Sequence, residues 1–483
     1  MEFYNLLTFG SSVALVIFLI PLILSIGIIP AIPFSDSVEY DQICIDKVWL
    51  ENSKGKIACV TPSTADALVE RGWGTILEEF EESTMEIMPH TPGMKIDFEA
   101  EKKLLSIADG GVGPLTVTPV IGNPTKSYPE IYVPGDENLA PDEMRLVFCG
   151  SGFPYLTVSQ ASTCLIVQTG DGKSYLFDIG SGSASRINAM EIPGNDLTNV
   201  FISHTHTDHI GDLGPFWSQA YLSGRTNPIE LYGPSGPNHE LGLTYFVENF
   251  LKSYTWDFET RRGMVDTSGQ AINIHEFDYT QTQVIYDKDD FQVTAFPAIH
   301  GIDGAVSFRI DWNDLSVVFS GDTDVNQFLL ENSHNADVII LEIFAPEEYF
   351  LESFGWPEGM YDGSVSTSHI PAERAGLYFK IVEPRLVIGF HFILDELSIP
   401  LIFEGIRKNY DDPFLYAQDF TVINLTPDYI ITRQALVDEN FVPGSEEKME
   451  IQDERNYVYS DWLKESVLHE DALREILEKQ NSK

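Results

Sequence analysis

The sequence predicts a mixed α/β (α+β) protein, and three features predict it. From residue 144 onward, short apolar runs of buried-strand length are separated by turn residues. Helical stretches fall between those runs, the clearest from Leu213 to Leu222. Several runs end in an imidazole or a carboxylate instead of an ordinary turn residue, as strands do when they deliver polar side chains at their ends.

Val13 to Phe34 opens the chain as almost unbroken apolar sequence, interrupted by Ser25 and by Pro21, Pro30 and Pro33. Its length is close to the roughly 20 residues that a helix needs to cross a bilayer. Residues 1–35 are therefore expected to be an export signal or a membrane anchor. No Lys or Arg precedes Lys47, so the positive-inside rule has nothing to count. Residues 36–75 are expected to form a small accessory module, with strands over Cys44–Leu50 and Ile57–Val60 and a helix from Thr61 to Arg71 closed by Gly72. Residues 76–143, rich in acid, proline and glycine, read as a linker.

The compact domain spans residues 144–435. Met144–Gly150 is a strand that runs into the turn Gly150-Ser151-Gly152, and Ser162–Val167 and Tyr175–Gly180 supply two more strands. No Gly-Lys-Ser/Thr follows the turn, which rules it out as a phosphate loop. Leu197–Ile202 is the next strand, followed by the helix Leu213–Leu222 and the strand Ile229–Pro234. Residues 238–290 read as helical and irregular, with Tyr245, Phe246, Tyr254, Trp256 and Phe258 as core aromatics. Three further apolar runs, Phe291–Ile299, Leu315–Gly321 and Arg385–Phe390, complete the domain. The charged tail, residues 436–483, should end in an amphipathic helix over 460–480 whose stripe (Leu463, Val467, Leu473, Ile476, Leu477) packs on the rest.

The bulk numbers describe a folded chain of 483 residues, 43% hydrophobic, long enough for two or three domains. Acidic residues outnumber basic ones 74 to 29, for a net charge of -45. Such a chain repels phosphate polyanions, so a nucleic-acid-binding surface is not expected. Solubility in salty surroundings is the simpler reading of the surface acid. Cys44, Cys59, Cys149 and Cys164 contain no C-x-x-C pair and permit up to two disulfides in three pairings, or buried free thiols at Cys149 and Cys164.

Chemistry concentrates in Ser203-His204-Thr205-His206-Thr207-Asp208-His209, directly after the strand ending at Ile202. On an extended end, residues two apart face the same way, so His204 and His206 converge on one ion. Asp208 and His209, past the bend, face a second. Imidazole and carboxylate are ligands of zinc and similar divalent metals. Three later runs end in one such ligand each: His300, Asp322 and His391. The opening of a calcium loop at Asp322-Thr323-Asp324 fails because Gln327 stands where that loop needs glycine. No Gly-x-Ser-x-Gly elbow supports a serine hydrolase. Asn424-Leu425-Thr426 matches a glycosylation acceptor.

Together these residues resemble the metallo-β-lactamase superfamily, whose signature is H-x-H-x-D-H followed by a distant His, an Asp and a final His. Gly150 to Pro154, the Leu176-Phe177-Asp178 strand, Ser320-Gly321-Asp322-Thr323 and Ser368-His369-Ile370-Pro371 look most like its ribonuclease Z and arylsulfatase-like branch. The resemblance implies a four-layer αββα sandwich with two divalent cations, Zn2+ first and Mn2+ or Fe2+ as alternatives. One would be held by His204, His206 and His300, the other by Asp208, His209 and His391, with Asp322 bridging. Such a pair lowers the pKa of bound water towards about 7. Asp208 would share in catalysis, His369 would protonate the leaving oxygen, and Glu342 would orient His369.

The activity expected from this is hydrolysis of a small phosphodiester or aryl-sulfate-like ester. The alternatives are a lactone or other acyl ester, ribonuclease Z-like cleavage of transfer RNA at its 3′ end, or a catalytically silent binding protein. The expected partner is a small-molecule ester and not a nucleic acid, because no basic arm is visible and the charge is negative. A membrane would be a partner only through an uncleaved N-terminal segment. The oligomeric state is left open, a dimer included. The domain is expected outside the cytoplasm, secreted or anchored.

Overall fold

The computed structural model describes residues 120–129, 131–261, 268–395, 397–442 and 459–482, with 48–52, 57–60, 69 and 74–77 before them. The apolar segment 1–35 lies outside the described residues, and so does the expectation of export that rests on it. Cys44, most of the helix expected over 61–71 and residues 78–119 lie outside them too. Among the described residues no helix is long and apolar enough to cross a membrane.

In the accessory region β1 (Val48–Asn52), β2 (Ile57–Val60) and β3 (Gly74–Leu77) form a three-stranded antiparallel sheet with β1 in the middle. In the stretch read as a linker, β4 (Val120–Gly122) and β5 (Ile131–Tyr132) are strands in their own right. They are followed by β6 (Met144–Gly150), β7 (Cys164–Thr169), β8 (Ser174–Phe177), β9 (Asn199–Phe201), β10 (Ile229–Pro234) and β11 (Ile272–Phe277). Next come β12 (Gln283–Lys288), β13 (Phe291–Pro297), β14 (Val306–Trp312), β15 (Leu315–Phe319), β16 (Val338–Glu342), β17 (Leu386–Phe390) and β18 (Phe414–Tyr416). The last two are β19 (Thr421–Leu425) and β20 (Tyr429–Ala435).

Two large sheets result. One runs β11-β10-β9-β8-β7-β6-β19-β20-β4, with β5 also on β20, and the other runs β12 to β18 in order. Side chains alternate along each strand. Leu146, Phe148, Leu165, Val167 and Phe177 meet Val293, Phe308, Val317, Ile340 and Ile388 between the sheets. Their neighbours Val147, Ile166, Leu176 and Val200 point outward under Ala184, Ile187, Leu213 and Trp217. On the other sheet Val318, Ile339 and Leu341 pack under Ala375, Phe379, Ile402 and Ile406. Strands covered on both faces are buried along their length, which is why β6, β8, β15, β16 and β17 read as largely apolar runs, with Arg145, Ser174, Ser316 and Glu342 as buried polar exceptions. The fold is therefore an αββα sandwich, as expected.

Three local readings change. Residues 272–288, read as irregular, form the edge strands β11 and β12; their weak alternation (Ile272, Ile274, Phe277) suits strands half-covered at a sheet edge. The C-terminal stretch is two helices, Asp461–Glu465 and Glu470–Asn481, and not one. Val467, Leu473, Ile476 and Leu477 stay exposed, so the expected packing stripe covers no core among the described residues. Asn424 is fully buried with its amide on Glu143 Oε1 at 2.6 Å, which removes it as a glycosylation acceptor. Cys149 and Cys164 are disulfide-bonded, cross-linking β6 to β7.

Candidate metal centre

The ends of β8, β9, β13, β15, β16 and β17 deliver the seven sequence-predicted ligands and their neighbours to one edge of the sandwich. His204 and His206 follow β9, and Thr207–Ile210 turns as a single helical turn that carries Asp208 and His209. Gly180 permits this approach: a Cβ there would lie 2.1 Å from the Asp208 carbonyl oxygen. Asp322 is aimed by Gly321, which sits at φ 53° with room for no Cβ beside Ser203. His391 itself adopts φ 67°, a left-handed conformation that costs about 1 kcal/mol or more and clusters at functional sites. Its backbone N–H donates to Ser151 O at 2.8 Å, so the Gly-Ser-Gly turn anchors it.

The seven side chains form two groups that share Asp322. In the first, His204 Nε2 lies 2.9 Å and His300 Nε2 3.1 Å from His206 Nδ1, with Asp322 Oδ2 at 3.6 Å from His300. In the second, Asp208 Oδ2 is 3.1 Å from His391 Nε2 and 3.5 Å from His209 Nε2. Asp322 closes that group at 3.1 Å from His209 and 3.2 Å from His391. Donors on one tetrahedral zinc are about 3.3 Å apart for bonds of about 2.0–2.1 Å. These spacings fit that geometry. His209 Nε2 and Asp322 Oδ1 are also buried without a hydrogen-bond partner, as atoms held for an ion would be. The donor set fits a pair of divalent cations.

Three of the rings are held from behind. His300 Nδ1 faces Ser368 O at 3.1 Å, and His204 Nδ1 faces Ser203 Oγ at 3.1 Å. His209 Nδ1 faces Asp178 Oδ2 at 2.7 Å. Backing of this kind fixes the tautomer that leaves the other nitrogen for the metal. Asp178 is the functional residue absent from the sequence-predicted set. It is fully buried, and its other contacts are Ser203 N–H and Ser203 Oγ–H, each at 2.7 Å. Its signal was present, since it ends the apolar run of β8 just as Asp322 follows β15.

The electrostatics of the two groups differ. Burial, reinforced by neighbouring imidazoles, lowers the pKa values of His204, His206 and His300. For His391 burial acts downward but is overridden by Asp322, Asp208 and Glu342, which push it up to about 10. His209 is likewise raised, against its burial, by Asp322, Asp208 and Asp178. Burial would raise the carboxyls of Asp208 and Asp322, yet the facing imidazoles hold both below the usual range.

Beside the second group, Glu342 Oε2 meets His369 Nδ1 at 2.6 Å, and its Oε1 accepts from Thr323 N–H. The His369 segment is pinned by Phe344 N–H on Ile370 O at 2.8 Å, and the Phe344 ring stacks on His369 at 4.1 Å. Glu342, His369, His391 and Asp322 thus lie in one cluster. All nine predicted site residues are brought together.

A family profile described as Anti-Pycsar protein Apyc1 matches residues 144–346. Ribonuclease Z of Mycolicibacterium gilvum is 27% identical over 186 residues, 37% of this chain and 62% of that protein. Ribonuclease Z of Mycobacterium sp. strain KMS is 27% identical over 244 residues, 48% of this chain and 81% of that protein. Several of the curated relatives it matches are spanned over less than two thirds of their length. Among solved structures, the metallo-β-lactamase fold protein YhfI from Bacillus subtilis aligns over 59% of this chain and 100% of its own at 20% identity and TM-score 0.45. The ribonuclease relatives overturn the expectation of a small-molecule partner with nucleic acid excluded. The Coulomb argument behind it treated the surface charge as one long-range field. Salt screens that field within about 10 Å, whereas a phosphate at the site meets cations at contact distance. The arylsulfatase-like reading gains nothing from these matches.

Proposed function

We propose that the chain is a metallo-β-lactamase-superfamily enzyme of the ribonuclease Z-like branch, a metal-dependent phosphodiesterase that cuts RNA. The observation that carries the reading is the pairing of two ligand groups through Asp322, with the His369–Glu342 dyad alongside. Two divalent cations, Zn2+ first for so nitrogen-rich a donor set, supply an activated water near neutral pH and positive charge at the phosphoryl oxygens when bound.

His204, His206 and His300 would hold one cation and Asp208, His209 and His391 the other, with Asp322 between them. Asp208 would also help orient the attacking water. His369 carries the proton for the leaving oxygen. Glu342 Oε2 accepts a hydrogen bond from His369 Nδ1–H at 2.6 Å, which turns Nε2 away from the carboxylate. The stacked Phe344 ring holds the imidazole plane.

A transfer-RNA precursor with a 3′ trailer is the first substrate to test. Metal-loaded protein should cut it at a defined position, and the cut should vanish on chelation. Turnover of bis-p-nitrophenyl phosphate without cleavage of any RNA would refute the RNA reading and leave the phosphodiesterase standing.

A further inference from the structure

The loop from Ser151 to Gln160 leaves the metal centre at Ser151, whose carbonyl holds His391, and then turns out to solvent. Its first aromatic, Phe153, is buried with its ring 6.0 Å from that of His391. The second, Tyr155, is not buried. It is 46% exposed, 5.2 Å from Phe153 and 4.7 Å from the partly buried Phe354, whose ring supports it from one side. Leu156 and Val158 beside it are 69% and 98% exposed. Neither core packing nor the metal ligands account for an aromatic ring presented here, two ring contacts from a ligand.

Resting on the RNA reading above, we propose that Tyr155, backed by Phe354, is the platform on which the nucleobase next to the scissile phosphodiester stacks. Every base has a π-face, and single-stranded RNA is commonly held by stacking on aromatic side chains. The scarcity of basic side chains favours this mode. With 29 basic against 74 acidic residues, cations to grip phosphates are scarce. Arg374, the cation closest in sequence to His369, is committed to Asp324. Stacking holds the base without a cationic surface. The specificity that follows is for an unpaired nucleotide at the cut, because a base inside a duplex offers no free face.

The test is the dissociation constant of a fluorescently labelled single-stranded RNA on the metal-loaded full chain, for an intact RNA and for one abasic at the nucleotide beside the scissile bond. Cleavage is followed in parallel. In the wild type the abasic RNA should bind roughly 5- to 150-fold more weakly, the range that one base stacked on an aromatic ring commands. In Tyr155→Ala the two RNAs should bind alike, and Tyr155→Trp should restore the difference. An abasic penalty equal in wild type and Tyr155→Ala overturns the platform, whether or not RNA is cut. Tyr155-dependent binding with no cleavage would instead uphold the platform and overturn the ribonuclease reading.

Discussion

Replacing Asp178 by asparagine removes one charge and almost no volume, yet it should cripple one cation site selectively. The carboxylate accepts at both oxygens: Ser203 N–H at Oδ1, and Ser203 Oγ–H with the His209 ring at Oδ2, each at 2.7 Å. Asparagine has one acceptor oxygen. If that oxygen faces His209, the amide NH2 confronts the buried Ser203 N–H. If it faces Ser203 N–H, the NH2 confronts His209 Nδ1 and drives the ring to the tautomer with its proton on Nε2. That nitrogen is the one needed for the metal. Loss of such a backing partner typically costs 10–100-fold in metal affinity, about 1.4–2.8 kcal/mol. A chelator-competition titration should show the second cation weakened by about that factor in Asp178→Asn. The His204, His206 and His300 group, which Asp178 reaches only through Ser203 Oγ behind His204, should weaken less than the second. Two unchanged dissociation constants in a folded variant would refute the tautomer argument.

His369→Ala should lower turnover of RNA by about 10²–10⁴-fold with metal content unchanged, and a substrate with a more acidic leaving group should lose less; equal losses would count against a proton donor. In the metal-free protein the facing carboxylates push His391 up to about 10 and raise His209, whereas burial shifts His204, His206 and His300 down. Metal must displace the protons of the second group only. Affinity for the second cation should therefore climb from pH 6.5 to 8.5 while that for the first stays nearly flat, read by chelator competition at each pH. A surface with 6–10 phosphate contacts loses roughly 10³–10⁵ in RNA affinity between 50 and 200 mM salt. Here the loss should be under about tenfold, and a steep decline would reveal a basic surface that the composition does not suggest.

The ligand set was legible because four donors crowd into His204–His209 after one apolar run and His300, Asp322 and His391 each follow a run of their own, and a run buried on both faces leaves little doubt about where its strand stops. The helix over Leu213–Leu222 falls on the residues its periodicity gave. Asp178 ends a run in the same way but holds a ligand, and sequence carries no mark that separates a residue facing a metal from one facing a ligand. The strands β4 and β5 are three and two residues long, too short for any periodicity, and exist because β20 offers an edge to pair with. The exclusion of nucleic acid failed for a different reason. Net charge is a sum over the whole surface, and binding is decided by local contacts that the sum does not contain.

The account rests on Asp322 joining two cation sites. Elemental analysis of the desalted, metal-saturated chain, wild type beside Asp322→Ala, tests this most directly. Two ions per chain in the wild type and at most one in the variant are predicted. Two ions retained by Asp322→Ala, or less than one bound by the wild type, would contradict it.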